Sequence, residues 1–250
     1  MISTPEIIAI SRLQMFEPPE GYYLAFSGGK DSVVLKDLAD RAGVKYDAHY
    51  SVTTIDPPEL VRFIRREHAD VQWERPEKAF LTRLVEKGFP LRHRRWCCEE
   101  YKERGGSGRL VLTGIRATES VRRGKRTMVE ICYKDTTKKY LHSLIDWTEL
   151  DIWKYIRRYD IPYCHLYDRG AKRLGCLFCP MQYHKHRQRE VRLYPRYAAA
   201  FRKAFRKLHA SGRESMSRWS DGDAMFEWWI GDGHIDESDQ QIMRFDSEER

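Results

Sequence analysis

One segment near the N-terminus, YYLAFSGGKDSVVL at residues 22–35, constrains the fold more than any other. An apolar run stops at two glycines flanked by hydroxyl, cationic and acidic side chains, and apolar residues then resume at helical spacing. This order predicts a strand, a tight turn and the start of a helix. Adjacent glycines leave no Cβ in the way of a ligand, so backbone N–H groups and the positive end of the helix dipole can face an anion. The segment is therefore predicted to bind phosphate.

The side chains of the turn supply groups that suit a phosphate ligand. Lys30 carries a positive charge, and serine hydroxyls stand on both sides of it. A Walker A loop is excluded, because Asp31 follows Lys30 where that motif needs Ser or Thr. An ordinary glycine turn without a ligand is the alternative. The expected nucleotide-binding residues of the segment are Ser27, Gly28, Gly29, Lys30, Asp31 and Ser32.

Strand and helix patterns alternate along the first half of the chain. The sequence predicts strands at residues 22–26, 46–52, 71–73 and 109–115 and helices at 5–16, 31–42, 57–67 and 77–87. This alternation predicts an α/β fold with a mainly parallel sheet and helices on both faces. Ligands of such sheets collect at the carboxyl ends of the strands, so we expect Ser27, Thr53 and Gly114 to share one crevice.

A second charged segment follows the predicted strand that ends at Gly114. Its sequence, IRATESVRR at residues 115–123, brings arginines that can hold phosphate or sulfate through paired hydrogen bonds. We expect Arg116 and Arg122 to bind the anion and Glu119 to orient one of them. A solvated basic loop is the alternative.

Four of the six cysteines occur in two close pairs, a tandem at residues 97–98 and a Cys-x-x-Cys at 176–179. In a cytoplasmic chain such cysteines are expected to be metal ligands or reactive thiols rather than disulfides. Four thiolates suit zinc or an iron–sulfur cluster, but a zinc ribbon needs two Cys-x-x-Cys pairs. A thioredoxin-like redox pair is a further interpretation. The candidate metal ligands are Cys97, Cys98, Cys176 and Cys179, with Cys164 as the alternative to Cys98. A set of three ligands without Cys98, which leaves one iron open to sulfide, is a further alternative.

Several motifs, taken together, resemble the phosphoadenosine phosphosulfate (PAPS) reductase-like branch of the PP-loop ATP pyrophosphatase superfamily, whose fold is adenine nucleotide alpha hydrolase-like. They are SGGKDS at residues 27–32, TIDPPE at 54–59, GIRATES at 114–120, DWTELDIW at 146–153 and LYDRG at 166–170. The cysteine pairs resemble the set with which iron–sulfur adenylyl-sulfate reductases bind a [4Fe-4S] cluster.

The resemblance implies an enzyme that binds ATP, PAPS or adenylyl sulfate together with Mg²⁺. Assimilatory reductases of this branch use a C-terminal cysteine as nucleophile, and no cysteine follows Cys179 in this sequence. The first hypothesis is therefore ATP-dependent sulfur transfer, in which an adenylylated acceptor receives sulfide from the cluster, as in DNA phosphorothioation. Reduction of PAPS or adenylyl sulfate with a non-standard reductant is the second, and a non-catalytic nucleotide- or redox-sensing module is the third. Lys30, Asp31, Ser32 and Arg116 are the expected catalytic residues.

The predicted domains are a nucleotide-binding domain with the cysteine site over residues 1–182 and a helical extension over 183–250. Basic residues with aromatic anchors recur at 184–190 and 201–207, and the formal net charge is +8. A nucleic acid is therefore one candidate acceptor, with a solvated helix face as the alternative. A sulfur donor such as a cysteine desulfurase is a second candidate partner. The sequence does not decide the oligomeric state. Without a long apolar run or a signal-peptide pattern, we expect a cytoplasmic protein with no membrane segment.

Overall fold

The computed structural model describes residues 4–231, so the end of the predicted extension, residues 232–250, lies outside the described residues. Its strands, in chain order, are β1 (Tyr22–Ala25), β2 (Tyr46–Ser51), β3 (Gln72–Glu74), β4 (Leu110–Leu112), β5 (Val129–Ile131) and β6 (Lys139–Leu141). Its α-helices are α1 (Pro5–Met15), α2 (Lys30–Ala42), α3 (Pro58–Glu67), α4 (Phe80–Lys87), α5 (Trp96–Lys102), α6 (Glu149–Arg158), α7 (His184–Leu193), α8 (Pro195–His209) and α9 (Gly222–Ile230).

The described chain forms two compact units. The first contains the residues up to Val52, Asp56–Pro76 and Tyr101–Gly175, and the second contains Thr53–Ile55, Glu77–Glu100 and the residues from Cys176 onward. These units have other bounds than the predicted domains, 1–182 and 183–250. That division into functional domains stays a prediction.

All six strands belong to one sheet of the first unit, in the order β3-β2-β1-β4-β6-β5. Every neighbouring pair is parallel except β5 and β6, which are antiparallel. The register sets Leu24 opposite Ala48 on one side and Leu112 on the other. The predicted α/β fold with a mainly parallel sheet is confirmed, and β5 and β6 are additions that the sequence did not indicate.

The core of the first unit surrounds β1, whose residues Tyr22, Tyr23 and Leu24 are all buried, so both faces of the sheet are covered there. Each fully buried large apolar side chain contributes about 1.5–3 kcal/mol. Helix α2 ends at Gly43, which adopts a φ of +68° as a left-handed helix cap. Helix α6 begins with a capping box in which the Thr148 and Asp151 side chains bond each other's backbone N–H groups.

The second unit packs α4, α8 and α9 around aromatic side chains, among them Phe201, Phe205 and Trp229. The predicted helix at 77–87 begins only at Phe80, where the Thr54 hydroxyl accepts the Phe80 N–H at 2.9 Å. Among the helices of the described residues, none is both long enough and apolar enough to cross a membrane.

Candidate functional site

The turn between β1 and α2 has a shape that only glycine fits at its second position. Gly28 adopts a φ of +69°, and a Cβ there would lie 2.7 Å from Leu60 Cδ1 and 2.8 Å from Ile64 Cδ1. Left-handed backbone is strained for other residues, and α3 leaves no room for a side chain. The turn therefore lies directly against α3.

Hydrogen bonds of Ser32 hold this turn in place. Its hydroxyl donates to the Gly29 carbonyl at 2.9 Å and accepts the Ser27 N–H at 3.2 Å. Ser32 is buried, whereas Ser27 is exposed. The structure thus uses Ser32 to close the loop, and its predicted catalytic role stays a prediction.

Lys30 and Arg116 are both buried cations, 2% and 3% exposed, at the start of α2. Lys30 Nζ donates to the Lys172 carbonyl at 3.2 Å and lies 3.7 Å from the Asp31 carboxylate. Arg116 Nε donates to Asp31 Oδ1 at 2.6 Å. Lys30 Nζ also lies 3.5 Å from the Glu149 carboxylate. Arg116 therefore fixes the loop through Asp31, and each of the two cations is paired with a carboxylate.

The end of β4 approaches the start of α2 very closely. A Cβ at Gly114 would lie 3.0 Å from the Asp31 carbonyl carbon and oxygen, so a side chain there would force the two segments apart. Thr53, the third predicted strand-end residue, belongs to the second unit, where its buried hydroxyl accepts the Ile55 N–H at 3.4 Å. Its role in nucleotide binding stays a prediction.

A cavity of about 210 Å³ opens between these elements of the first unit. Of the predicted site residues, it brings together Ser27, Gly29, Lys30, Asp31, Ser32, Gly114 and Glu119. Arg116 and Arg122 do not line it; Arg122 is exposed and directly precedes the short 3₁₀ turn Arg123–Lys125. The lining residues that the sequence analysis did not single out are Ala25, Thr113, Ile115, Arg123, Tyr167, Arg173 and Leu174.

The cavity concentrates positive charge around Arg123. Burial, followed by the charges of Arg173 and Arg116, lowers the pKa of Arg123 to about 10, with Asp31 acting in the opposite direction. Arg123 still carries its charge at neutral pH and bonds the Glu119 carboxylate. Like charges held together at a helix N-terminus favour a bound anion, since the anion relieves their repulsion.

Tyr167 closes one side of the cavity, and its hydroxyl accepts the backbone N–H of Lys30 at 3.0 Å. Burial raises the pKa of Tyr167, so the side chain stays a neutral phenol at physiological pH. Its position could not be inferred from the LYDRG motif, because only the folded chain brings this segment to α2. This hydrogen bond uses one of the backbone N–H groups that could otherwise donate to a phosphate oxygen.

Behind the cavity, Thr113 is joined to a fully buried histidine. The Thr113 Oγ1 lies 2.6 Å from His142 Nδ1, and His142 Nε2 lies 3.8 Å from the Glu130 carboxylate. Burial and the positive charges of Arg126 and Arg123 lower the pKa of His142, and the Glu130 carboxylate acts in the opposite direction. His142 is therefore neutral in the folded protein at neutral pH.

This histidine predicts a loss of stability in mild acid. Because the folded pKa of His142 lies below the unfolded value of about 6.5, unfolding takes up a proton as the pH falls below that value. As the pH falls, we expect His142 to lower the free energy of unfolding by up to about 1.4 kcal/mol per pH unit. The His142→Gln variant should show a smaller dependence of this free energy on pH. Urea unfolding at several pH values between 7.5 and 5 measures this pH dependence. The exposed His165→Gln serves as control; equal slopes in both variants would contradict the prediction.

The second unit gathers the four predicted metal ligands. The pKa of Cys97 is raised by a hydrogen bond with Cys98, by burial, and by the charges of Cys98, Cys176 and Cys179, so all four thiols lie within electrostatic range. Arg95 donates to Cys98 Sγ at 3.7 Å. As the side chains stand, no three or more His, Cys, Asp or Glu residues among residues 4–231 form a group that could hold a metal ion.

Glu190 of α7 holds the Cys-x-x-Cys turn in shape. Its carboxylate accepts the Phe178 N–H at 2.6 Å, and Phe178 has a φ of +57° between the two cysteines. The alternative ligand Cys164 lies elsewhere, packed with no exposed surface in the core of the first unit. All six cysteines lie in the described range, and none forms a disulfide.

Comparison with known proteins assigns a family to most of this structure. Residues 21–182 match the model of the phosphoadenosine phosphosulfate reductase domain. An adenosine 5′-phosphosulfate reductase from Allochromatium vinosum is 32% identical over 194 residues, which cover 71% of this chain and 75% of the reductase. An uncharacterised protein of Methanocaldococcus jannaschii is 31% identical over 173 residues, 63% of this chain but only 35% of its own length.

A solved structure agrees at the level of the fold. The phosphoadenylyl-sulfate reductase of Candida auris, crystallised as a phosphate complex, superimposes with a TM-score of 0.54 at 19% sequence identity. The match covers 69% of this chain and 88% of the reductase. At this identity the likeness concerns the fold alone.

Proposed function

Because the chain belongs to the phosphoadenosine phosphosulfate reductase domain family, we propose that it is an enzyme of sulfur chemistry that binds an adenine nucleotide in the cavity of the first unit. One observation carries this proposal: the cavity is lined by the 27–32 turn, the start of α2 and three cationic side chains, Lys30, Arg123 and Arg173, against two carboxylates, Asp31 and Glu119. The relative named adenosine 5′-phosphosulfate reductase acts on such a nucleotide.

The phosphate end of the nucleotide would lie at the start of α2. Backbone N–H groups of the turn would donate to phosphate oxygens, and Lys30 would neutralise their charge after leaving the Lys172 carbonyl. Arg123 and Arg173 would hold the opposite side of the phosphates or a sulfate. Mg²⁺ would enter with the phosphates, and Asp31 is a carboxylate of the cavity that could bind it.

Two reactions fit this site. Reduction of PAPS or adenylyl sulfate is favoured by the reductase relative, which aligns over 71% of the chain. ATP-dependent sulfur transfer is favoured by the cavity lining, which contains no cysteine that could attack an activated sulfate. In the second reaction the acceptor oxygen takes the adenylyl group and releases pyrophosphate, and sulfide then displaces AMP. Where the donor is the persulfide of a cysteine desulfurase, a dithiol releases the sulfide and is oxidised to a disulfide. The lysines and arginines exposed on α7 and α8 make a nucleic acid one candidate acceptor.

A single pair of assays separates the two reactions. The purified protein is incubated anaerobically with labelled ATP and candidate acceptors, and in parallel with PAPS or adenylyl sulfate and a dithiol reductant. Pyrophosphate release from ATP alone supports sulfur transfer, and sulfite release supports reduction. A protein that binds adenine nucleotides and turns over none of them is a sensing module.

We further propose that Cys97, Cys98, Cys176 and Cys179 hold a [4Fe-4S] cluster. The fit rests on the four thiols lying within electrostatic range of one another, because their thiolate forms would repel and a cationic centre would relieve that repulsion, and on the Arg95 donor. Each thiolate of such a cluster binds a different iron, so the sulfurs stand further apart than around a single zinc ion. When bound, the cluster would supply a redox or sulfur-handling centre, and the chain's own contribution is to hold its thiolates.

Two adjacent arginines test the nucleotide site. Arg123→Ala should weaken binding of the adenine nucleotide by about tenfold or more, because Arg123 lines the cavity and also balances Glu119. Arg122→Ala removes the same charge from an exposed position outside the cavity and should change the dissociation constant by less than about threefold. Isothermal titration calorimetry with ATP, adenylyl sulfate and PAPS measures both. Equal losses in the two variants would mean that the arginines act only through net charge.

A further inference from the structure

The junction of β4 and β6 places a hydroxyl of the cavity on a buried histidine. Leu112 and Leu141 are paired across the two strands, so the next residues, Thr113 and His142, leave the sheet side by side. The Thr113 N–H donates to the Leu141 carbonyl at 3.2 Å and the His142 N–H donates to the Met128 carbonyl at 2.8 Å. Backbone hydrogen bonds from both residues therefore fix the 2.6 Å contact between Thr113 Oγ1 and His142 Nδ1.

The surroundings of His142 decide which ring nitrogen carries the proton. Its Nε2 lies 3.8 Å from the Glu130 carboxylate, beyond hydrogen-bond distance, and has no hydrogen-bond partner among the described residues. Glu130 is kept ionised by the Arg126 side chain and the Thr127 N–H, because these donors lower the pKa of Glu130. A negative charge beside Nε2 attracts the proton to that nitrogen and leaves Nδ1 with a lone pair.

A lone pair on Nδ1 sets the direction of the Thr113 hydroxyl. The hydroxyl must then donate its hydrogen to His142, and its own lone pairs are left for the cavity that Thr113 lines. We propose that Glu130 and His142 fix Thr113 as a hydrogen-bond acceptor that selects nucleosides with a donor at this position. Such a donor is the 6-amino group of adenine or a ribose hydroxyl. This inference rests on the proposed nucleotide site and adds a specificity residue to it.

Matched variants test Thr113 directly. Thr113→Val keeps the shape and removes the oxygen, whereas Thr113→Ser keeps the hydroxyl. Dissociation constants are measured for ATP, for ITP, which lacks the 6-amino group, and for 2′-deoxy-ATP and 3′-deoxy-ATP. We expect wild type and Thr113→Ser to prefer ATP over one of these analogues by about tenfold, and Thr113→Val to lose that preference. The analogue affected identifies the donor. A preference that survives in Thr113→Val overturns the inference.

The protonation of His142 gives a readout that needs no ligand. In protein labelled with ¹⁵N at histidine, we expect His142 to show the tautomer with the proton on Nε2, and a proton on Nδ1 would overturn the inference. Glu130→Gln removes the charge that selects this tautomer and should reduce the preference for ATP, with unfolding curves to verify the fold. If the wild-type protein binds no adenine nucleotide, the proposed function fails, while the tautomer still decides whether Thr113 is an acceptor.

Discussion

Replacing Gly28 by alanine should abolish detectable nucleotide binding and lower the free energy of unfolding by about 2–4 kcal/mol. The new methyl group would require left-handed backbone at a φ of +69° and would overlap Leu60 and Ile64 at 2.7–2.8 Å. Relief of this overlap must shift the turn or the buried Leu60 and Ile64 side chains, and the strain at positive φ acts on the turn whose N–H groups would face the phosphates. Titration calorimetry with ATP and urea unfolding measure the two effects.

Gly43 provides the matched control for this substitution. It also has a left-handed φ, +68°, but a Cβ there would meet no atom within 4 Å. Gly43→Ala should therefore cost about 1 kcal/mol of stability from the backbone alone and leave nucleotide binding within about twofold of wild type. If Gly28→Ala bound ATP as well as Gly43→Ala does, the close packing of the turn on α3 would not matter for the ligand.

The phosphate-binding turn and the sheet were predictable because their signals are local. Two glycines interrupt an apolar run at 22–35, and the strands that flank it alternate with helical patterns. The same argument missed β5 and β6, which have three residues each and lie on one side of the sheet, with β5 as its edge strand. Length alone does not explain the difference, since β3 and β4 are equally short; pairing with β4 in the folded chain defines β6 as a strand.

The choice between Arg122 and Arg123 shows why the side chains of the site are harder to predict than its loop. Both arginines stand in one basic run, and a 3₁₀ turn at Arg123–Lys125 turns only the second toward the cavity. Such a turn has no periodic pattern of apolar residues from which its direction could be inferred. Tyr167 and His142 were missed for a related reason, since their partners Lys30 and Thr113 are distant in sequence and meet them only in the folded chain.

The cysteine ligand set stays a prediction, although the folded chain brings the two pairs into one unit. Cys97 and Cys98 lie on α5, nearly eighty residues before the Cys-x-x-Cys, and the second unit brings both pairs together. Cys164 belongs to the core of the first unit, where burial raises the pKa of its thiol. This environment favours an ordinary buried cysteine over a ligand. The Cys98→Ser and Cys164→Ala variants test whether Cys98 is the fourth ligand.

Replacing Cys176 by serine should remove nearly all cluster iron and acid-labile sulfide from protein purified without oxygen. A hard hydroxyl ligand holds iron–sulfur clusters poorly, and three remaining thiolates leave one iron without its protein ligand. Cys98→Ser should cause a similar loss, whereas Cys164→Ala should keep the iron content of wild type even if it lowers stability. Iron and sulfide analysis, together with the visible absorbance of the purified proteins, measures these effects.

Cys132→Ser is the matched control for this series, because Cys132 is also partly exposed but belongs to the first unit and is not among the groups that shift the pKa of Cys97. We expect Cys132→Ser to retain its iron. Retention of iron by Cys98→Ser and loss by Cys164→Ala would reverse the assignment of the fourth ligand. Bound zinc without sulfide in the wild-type protein would exclude the cluster altogether. In that case the nucleotide site in the first unit would stand on its own evidence.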